Sequence, residues 1–154
     1  MRDQAQEPVS LDGPAVRALL PQADPFVLID DAPEVVPGVR VWARYQVPER
    51  TFWTDAHFPG EPVMPGALLL EAMAQACSLA WLTLPDSEGL PVLVGAEALR
   101  FRSPARPGAL LDVRVEVTER RRLWRFRVVV TEGVRRVADG ELLATRVGRH
   151  PAGA

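Results

Sequence analysis

The stretch from Gly66 to about Leu82, GALLLEAMAQACSLAWL, is built from strong helix formers and is apolar on nearly every face. A helix with only a narrow polar seam, at Glu71, Gln75 and Ser78, cannot lie on a surface, so the rest of the chain has to enclose it. Glu71, Gln75 and Ser78 interrupt the stretch, which keeps it below the roughly 18 consecutive apolar residues of a membrane span. A soluble protein with no membrane partner is expected.

The remaining sequence supplies strands rather than further long helices. Asp12-Gly13-Pro14 followed by residues 15–20 predicts a short helix closed by Pro21, and residues 26–30 predict a brief apolar strand. After the Pro37-Gly38 turn, Val39, Val41, Ala43, Tyr45 and Val47 alternate with more polar positions, the period of a half-buried strand. A loop rich in Pro and Gly covers 48–65. Strands are then expected at 92–101, 110–118, 123–131 and 134–146, separated by turns at Pro107-Gly108, residues 119–122 and Glu132-Gly133.

A strongly curved antiparallel sheet wrapped around one central helix satisfies this order, which is the α+β hot-dog arrangement. With 154 residues the chain holds one domain, expected over 11–147, between a disordered arm at 1–10 and a flexible tail at 148–154.

Charge and composition narrow the chemistry. All 18 basic side chains are Arg, so amine nucleophiles and Schiff bases formed on lysine are excluded. Residues 1–99 carry 5 Arg against 14 acids, whereas 100–149 carry 13 Arg against 6, an asymmetry suited to steering an acidic macromolecule. A pI of about 5.7 and the lack of nucleic-acid motifs argue against DNA or RNA as that partner. The single Cys77 and an N-terminus without a secretory pattern point to the cytoplasm. Cys77 has no neighbouring metal ligands in sequence, and no metal is expected.

Three prolines and two glycines crowd around His57 in Ala56-His57-Phe58-Pro59-Gly60-Glu61-Pro62-Val63-Met64-Pro65-Gly66. Such a loop holds its histidine in one place. Gly66 then presents a backbone N–H at the positive end of the helix, where an oxygen gaining negative charge is stabilised. Two turns on, Glu71 stands among apolar residues with Gln75 at i+4 and Ser78 at i+7. Burial there favours a neutral carboxylic acid, which donates a proton. A base, an acid and an oxyanion donor are the parts of a β-elimination beside a carbonyl: His57 takes the α-proton and Glu71 protonates the departing hydroxyl.

His57-Phe58-Pro59-Gly60-x-Pro62-Val63-Met64-Pro65-Gly66, with Leu70-Glu71-Ala72-Met73-Ala74-Gln75, resembles the signature of bacterial β-hydroxyacyl-acyl-carrier-protein dehydratases of the FabZ type. Similar stretches at 20–30 and 100–108 extend the likeness over about 15–147. The resemblance implies a hot-dog homodimer or higher oligomer that needs no cofactor beyond the phosphopantetheine-borne substrate, in fatty acid or polyketide biosynthesis. It also implies sites between subunits that pair His57 of one chain with Glu71 of the other. The Val63 carbonyl would orient His57, the Gly66 N–H would meet the thioester oxygen, and Gln75 would orient Glu71 or a water. Glu71 rather than Asp resembles the branch that dehydrates without isomerising. Arg121 and Arg122, with Arg102 behind them, are the candidates for holding acyl carrier protein.

Gln22-Ala23-Asp24 stands where the family has His-Arg-Tyr, and Ala56 where a Gly is common. These departures leave room for a specialised secondary-metabolism member or a heterodimer with a related subunit. They also leave open a non-catalytic subunit, or a hydratase or thioesterase acting on coenzyme A thioesters. Trp42, Trp53, Trp81 and Trp124 are read as core or interface anchors, with Trp53 near the histidine loop. His150 is assigned no role.

Overall fold

A computed structural model describes residues 6–149. In chain order the elements are β1 (Val9–Leu11), α1 (Gly13–Leu19), β2 (Asp31–Val36), β3 (Arg40–Gln46), α2 (Gly66–Leu82), β4 (Leu90–Phe101), β5 (Leu110–Arg120), β6 (Leu123–Glu132) and β7 (Arg135–Val147). Asp12 caps α1 by accepting from the Ala15 N–H at 2.9 Å, and the chain turns extended at Leu20. The central helix occupies the residues its composition marks out.

The strands form one sheet in the order β1-β2-β3-β5-β6-β7-β4, and every neighbouring pair is antiparallel. Gly38, at φ 69, makes the β2–β3 turn, and a Cβ there would stand 2.7 Å from the Arg120 guanidinium. Val41, Ala43 and Tyr45 of β3 face inward with Val113 and Val115 of β5, Phe126 and Val128 of β6, and Leu142 of β7. They close over Leu69, Met73, Ala76 and Leu79 of α2, which are all buried, so the sheet supplies the apolar surroundings that the helix needs. The α+β hot-dog architecture follows from that enclosure.

Strand β4 behaves differently. Among the described residues it is the last strand of the sheet and pairs only with β7, and its register slips between Glu97 and Arg100, where Ala98 has φ 49. Val94 and Phe101 are each 52% exposed, an apolar content unusual for an open edge.

Two expectations are corrected. Residues 26–30 are not a strand: Phe26 closes a turn onto the Ala23 carbonyl at 2.9 Å, and β2 begins only at Asp31. The arm expected over 1–10 includes Val9 and Ser10 of β1, which reach the sheet because Val9 and Leu11 pair with Val35 and Ala32. Residues 1–5 of that arm and 150–154 of the tail, His150 among them, lie outside the described residues.

Met73 is fully buried at the middle of α2, whereas Ala67 is exposed on its first turn. Met73→Ala is expected to lower the unfolding free energy by about 2–5 kcal/mol, and Ala67→Ser to change it by less than about 0.5 kcal/mol. Urea unfolding of both variants measures the difference.

Candidate active site

The His57 loop is fastened from below. The carbonyl of Trp53, only 3% exposed, accepts from the backbone N–H of His57 at 2.8 Å and of Ala56 at 3.2 Å. His57 Nδ1 lies 2.8 Å from the Val63 carbonyl, which can only accept, so Nδ1 carries the proton and Nε2 of the neutral ring keeps a free lone pair. Phe58 follows with φ 58, a left-handed conformation that a bulky residue adopts under strain, and its ring lies 4.0 Å from the imidazole.

His57 and Phe58 line an open groove of about 460 Å³ with Val63, Gly66, Phe101 and Arg102. Gly66 is the first residue of α2, so its N–H has no acceptor within the helix. A Cβ on Gly66 would stand 3.1 Å from the Phe101 ring, so a larger residue there would push the ring away from the helix start.

Glu71 is half-buried and lines a different space, a narrow cavity of about 60 Å³. Gln22, Ser78, Pro91, Leu93 and Phe126 are among its walls. Gln75 is fully buried and donates from Nε2 to Glu71 Oε1 at 2.9 Å and to the Phe26 carbonyl at 2.8 Å, while its Oε1 accepts from the Leu28 N–H at 2.8 Å. Ser78, expected on the same polar seam, turns its hydroxyl back to the Ala74 carbonyl instead.

The groove and the cavity share no lining residue. The groove reaches Phe101 at one end of β4, and the cavity reaches Pro91 and Leu93 at the other. The structure therefore gathers His57, Val63 and Gly66 in one place and Glu71 and Gln75 in another.

The three candidate docking arginines are also divided. Arg102 borders the His57 groove and pairs with Asp139, whose carboxyl the guanidinium holds below the usual range. Arg121 and Arg122 form the exposed β5–β6 turn at the opposite end of β7, where the Arg122 carbonyl accepts from Thr145 Oγ1 at 3.0 Å. Arg121 is 83% exposed and meets Glu119 at 3.3 Å.

Two residues that matter to this geometry escape the sequence reading. Gln22 donates from Nε2 to Glu71 Oε1 at 3.4 Å. Its only sequence signal is that it departs from the family pattern. Trp53 gives the carbonyl that anchors His57, and only its proximity to the loop hints at this. Among the described residues no group of three or more His, Cys, Asp or Glu is arranged to hold a metal ion, and no helix is long and apolar enough to cross a membrane.

The profile of the FabA-like domain family matches residues 20–145. A 3-hydroxyacyl-[acyl-carrier-protein] dehydratase FabZ of Myxococcus xanthus (strain DK1622) is 40% identical over 135 residues, covering 85% of this chain and 88% of the relative. The protein of the same name from Anaeromyxobacter sp. (strain Fw109-5) is 37% identical over 153 residues, covering 96% of each. Among solved structures, the dehydratase heterocomplex ApeI:P from Xenorhabdus doucetiae superposes with a TM-score of 0.72 at 21% identity, covering 87% of this chain and 91% of that one. At that identity the likeness concerns the fold.

Cys77 lines the Glu71 cavity, but burial pushes its thiol far above the ordinary range and leaves it 3% exposed. With so little thiolate, the folded protein is expected to resist a thiol reagent at pH 8 and to react fully once unfolded in guanidinium. Rapid native labelling would show that this wall of the cavity opens.

Proposed function

The chain belongs to the FabA-like domain family, and from that membership we propose that it is a hydro-lyase. It would convert β-hydroxyacyl thioesters on acyl carrier protein to trans-2-enoyl thioesters, in the cytoplasm, within fatty acid or polyketide biosynthesis. The observation that carries the reading is the division of the acid–base groups between two spaces at opposite ends of an apolar edge strand whose outer side has no partner strand among the described residues.

A second copy added antiparallel along β4 would lay the Phe101 end of one chain beside the Pro91 end of the other. This self-complementary, two-fold contact would cover Val94 and Phe101. The same operation would bring the His57 groove of each chain toward the partner's Glu71 cavity. Two complete sites per dimer would result.

In such a site the thioester oxygen would sit at the Gly66 N–H, which stabilises the negative charge that develops when the α-proton leaves. His57 Nε2 would accept that proton, because the Val63 carbonyl keeps the ring's other nitrogen protonated. The partner's Glu71 would give its proton to the β-hydroxyl as the Cβ–O bond breaks, so water departs and the Cα–Cβ double bond forms. A proton and a hydroxide leave the substrate with no net change in its oxidation level, so the chemistry calls for no redox cofactor. Arg121 and Arg122 lie exposed in the β5–β6 turn, where they would meet the acidic carrier.

Purified protein is expected to form enoyl thioester from a β-hydroxyacyl carrier substrate, and His57→Ala and Glu71→Ala each to lower kcat by about 10²- to 10⁴-fold. Near-parental turnover in either variant, or release of free thiol in place of enoyl product, contradicts the proposal. Charge reversal at both Arg121 and Arg122 is expected to raise KM for the carrier-bound substrate while sparing a small thioester. An unchanged KM would remove them from docking.

A further inference from the structure

Glu71 changes protonation state in every turnover if it is the acid described above, and the inference here rests on that reading. A carboxylate needs hydrogen-bond donors beside it, whereas a carboxylic acid also needs an acceptor for its own proton. Two amides touch Glu71 Oε1, and they differ in what else they hold.

Gln75 is committed on both atoms. Its Oε1 takes the Leu28 N–H, and its Nε2 serves the Phe26 carbonyl and Glu71 together. Turning that amide over would break two buried backbone hydrogen bonds, so Gln75 can only donate to Glu71. Gln22 is not committed in this way. Its Nε2 faces Glu71 at 3.4 Å, and its Oε1 is buried without a partner among the described residues. A half-turn of this amide breaks no other hydrogen bond: it brings Oε1 to Glu71 and leaves Nε2 in the position that Oε1 held without a partner.

We propose that Gln22 is a positioning residue that follows the protonation state of Glu71, donating from Nε2 to the carboxylate and accepting through Oε1 from the acid. One amide fixes the carboxyl in place and the other accommodates its proton. Gln22 would act by keeping the proton-loaded Glu71 in the same position as the unloaded one.

The test compares the parent with Gln22→Met, which keeps the length without a donor or acceptor, and Gln22→His, whose ring supplies both. Gln22→Met is expected to lower kcat for dehydration about ten- to a hundredfold with KM within about twofold, and Gln22→His to recover to within about threefold of the parent. Exchange of the α-protons of a saturated acyl thioester with deuterated water, which calls on His57 but not on a proton from Glu71, is expected to stay at the parental rate in Gln22→Met. Gln22→Ala, which empties the position, is expected to match Gln22→Met and guards against a misfolded variant. Parental kcat in Gln22→Met, equal losses in the Met and His variants, or a parallel loss of α-proton exchange would overturn the role of Gln22 alone. A parent chain that dehydrates no β-hydroxyacyl thioester would overturn this role together with the proposed function.

Discussion

Gln75 connects three parts of the molecule through one buried amide. It holds Phe26 and Leu28 of the segment entering the sheet, and it holds Glu71 one turn back along α2. The central helix is otherwise apolar, and a carboxyl group on it has few places where its oxygens find partners. The same amide that satisfies the incoming backbone also fixes that carboxyl. Replacing it with an apolar side chain would strand a backbone N–H, a backbone carbonyl and a carboxylate together, which explains why a polar residue is fully buried at this point.

The arrangement of the sheet determines what such a carboxyl can do. Because β4 crosses to the far side of β7 instead of pairing with its neighbours in sequence, the chain ends its sheet on a long apolar edge. The groove with His57 opens at one end of that edge and the cavity with Glu71 at the other. An antiparallel pairing reverses ends, so two chains joined there would exchange halves of a site. The His57 half is held by local contacts. Trp53 and Val63 hold the histidine through backbone carbonyls, and the Phe101 ring closes on a glycine that leaves the helix start open.

Much of this is written in local sequence. The helix at Gly66–Leu82 depends on its helix-forming composition and the strand through Val41, Ala43 and Tyr45 on alternation, and both are local properties. The packed prolines around His57 likewise announce a constrained loop before any coordinate is known. What is not local is harder to read. Residues 26–30 look like a strand because Phe26, Val27, Leu28 and Ile29 are apolar, yet the Phe26 carbonyl and Leu28 N–H bond to a helix side chain 49 and 47 positions away. Val9 and Ser10 look like part of a loose arm because so short a stretch carries no period, and the ladder it joins, at Val35 and Ala32, is remote in sequence. Gln22 meets Glu71 across 49 positions, so its part is visible only once α1 and α2 are brought together.

The central claim is that each working site takes its base from one chain and its acid from another. Chains carrying His57→Ala and chains carrying Glu71→Ala, given different tags and co-expressed, can be purified as a mixed dimer in which one of the two sites holds both intact groups. This mixed dimer is expected to recover about half of the parental turnover, although each variant alone is nearly inactive. A mixed dimer as inactive as its parents would place base and acid within a single chain and contradict it.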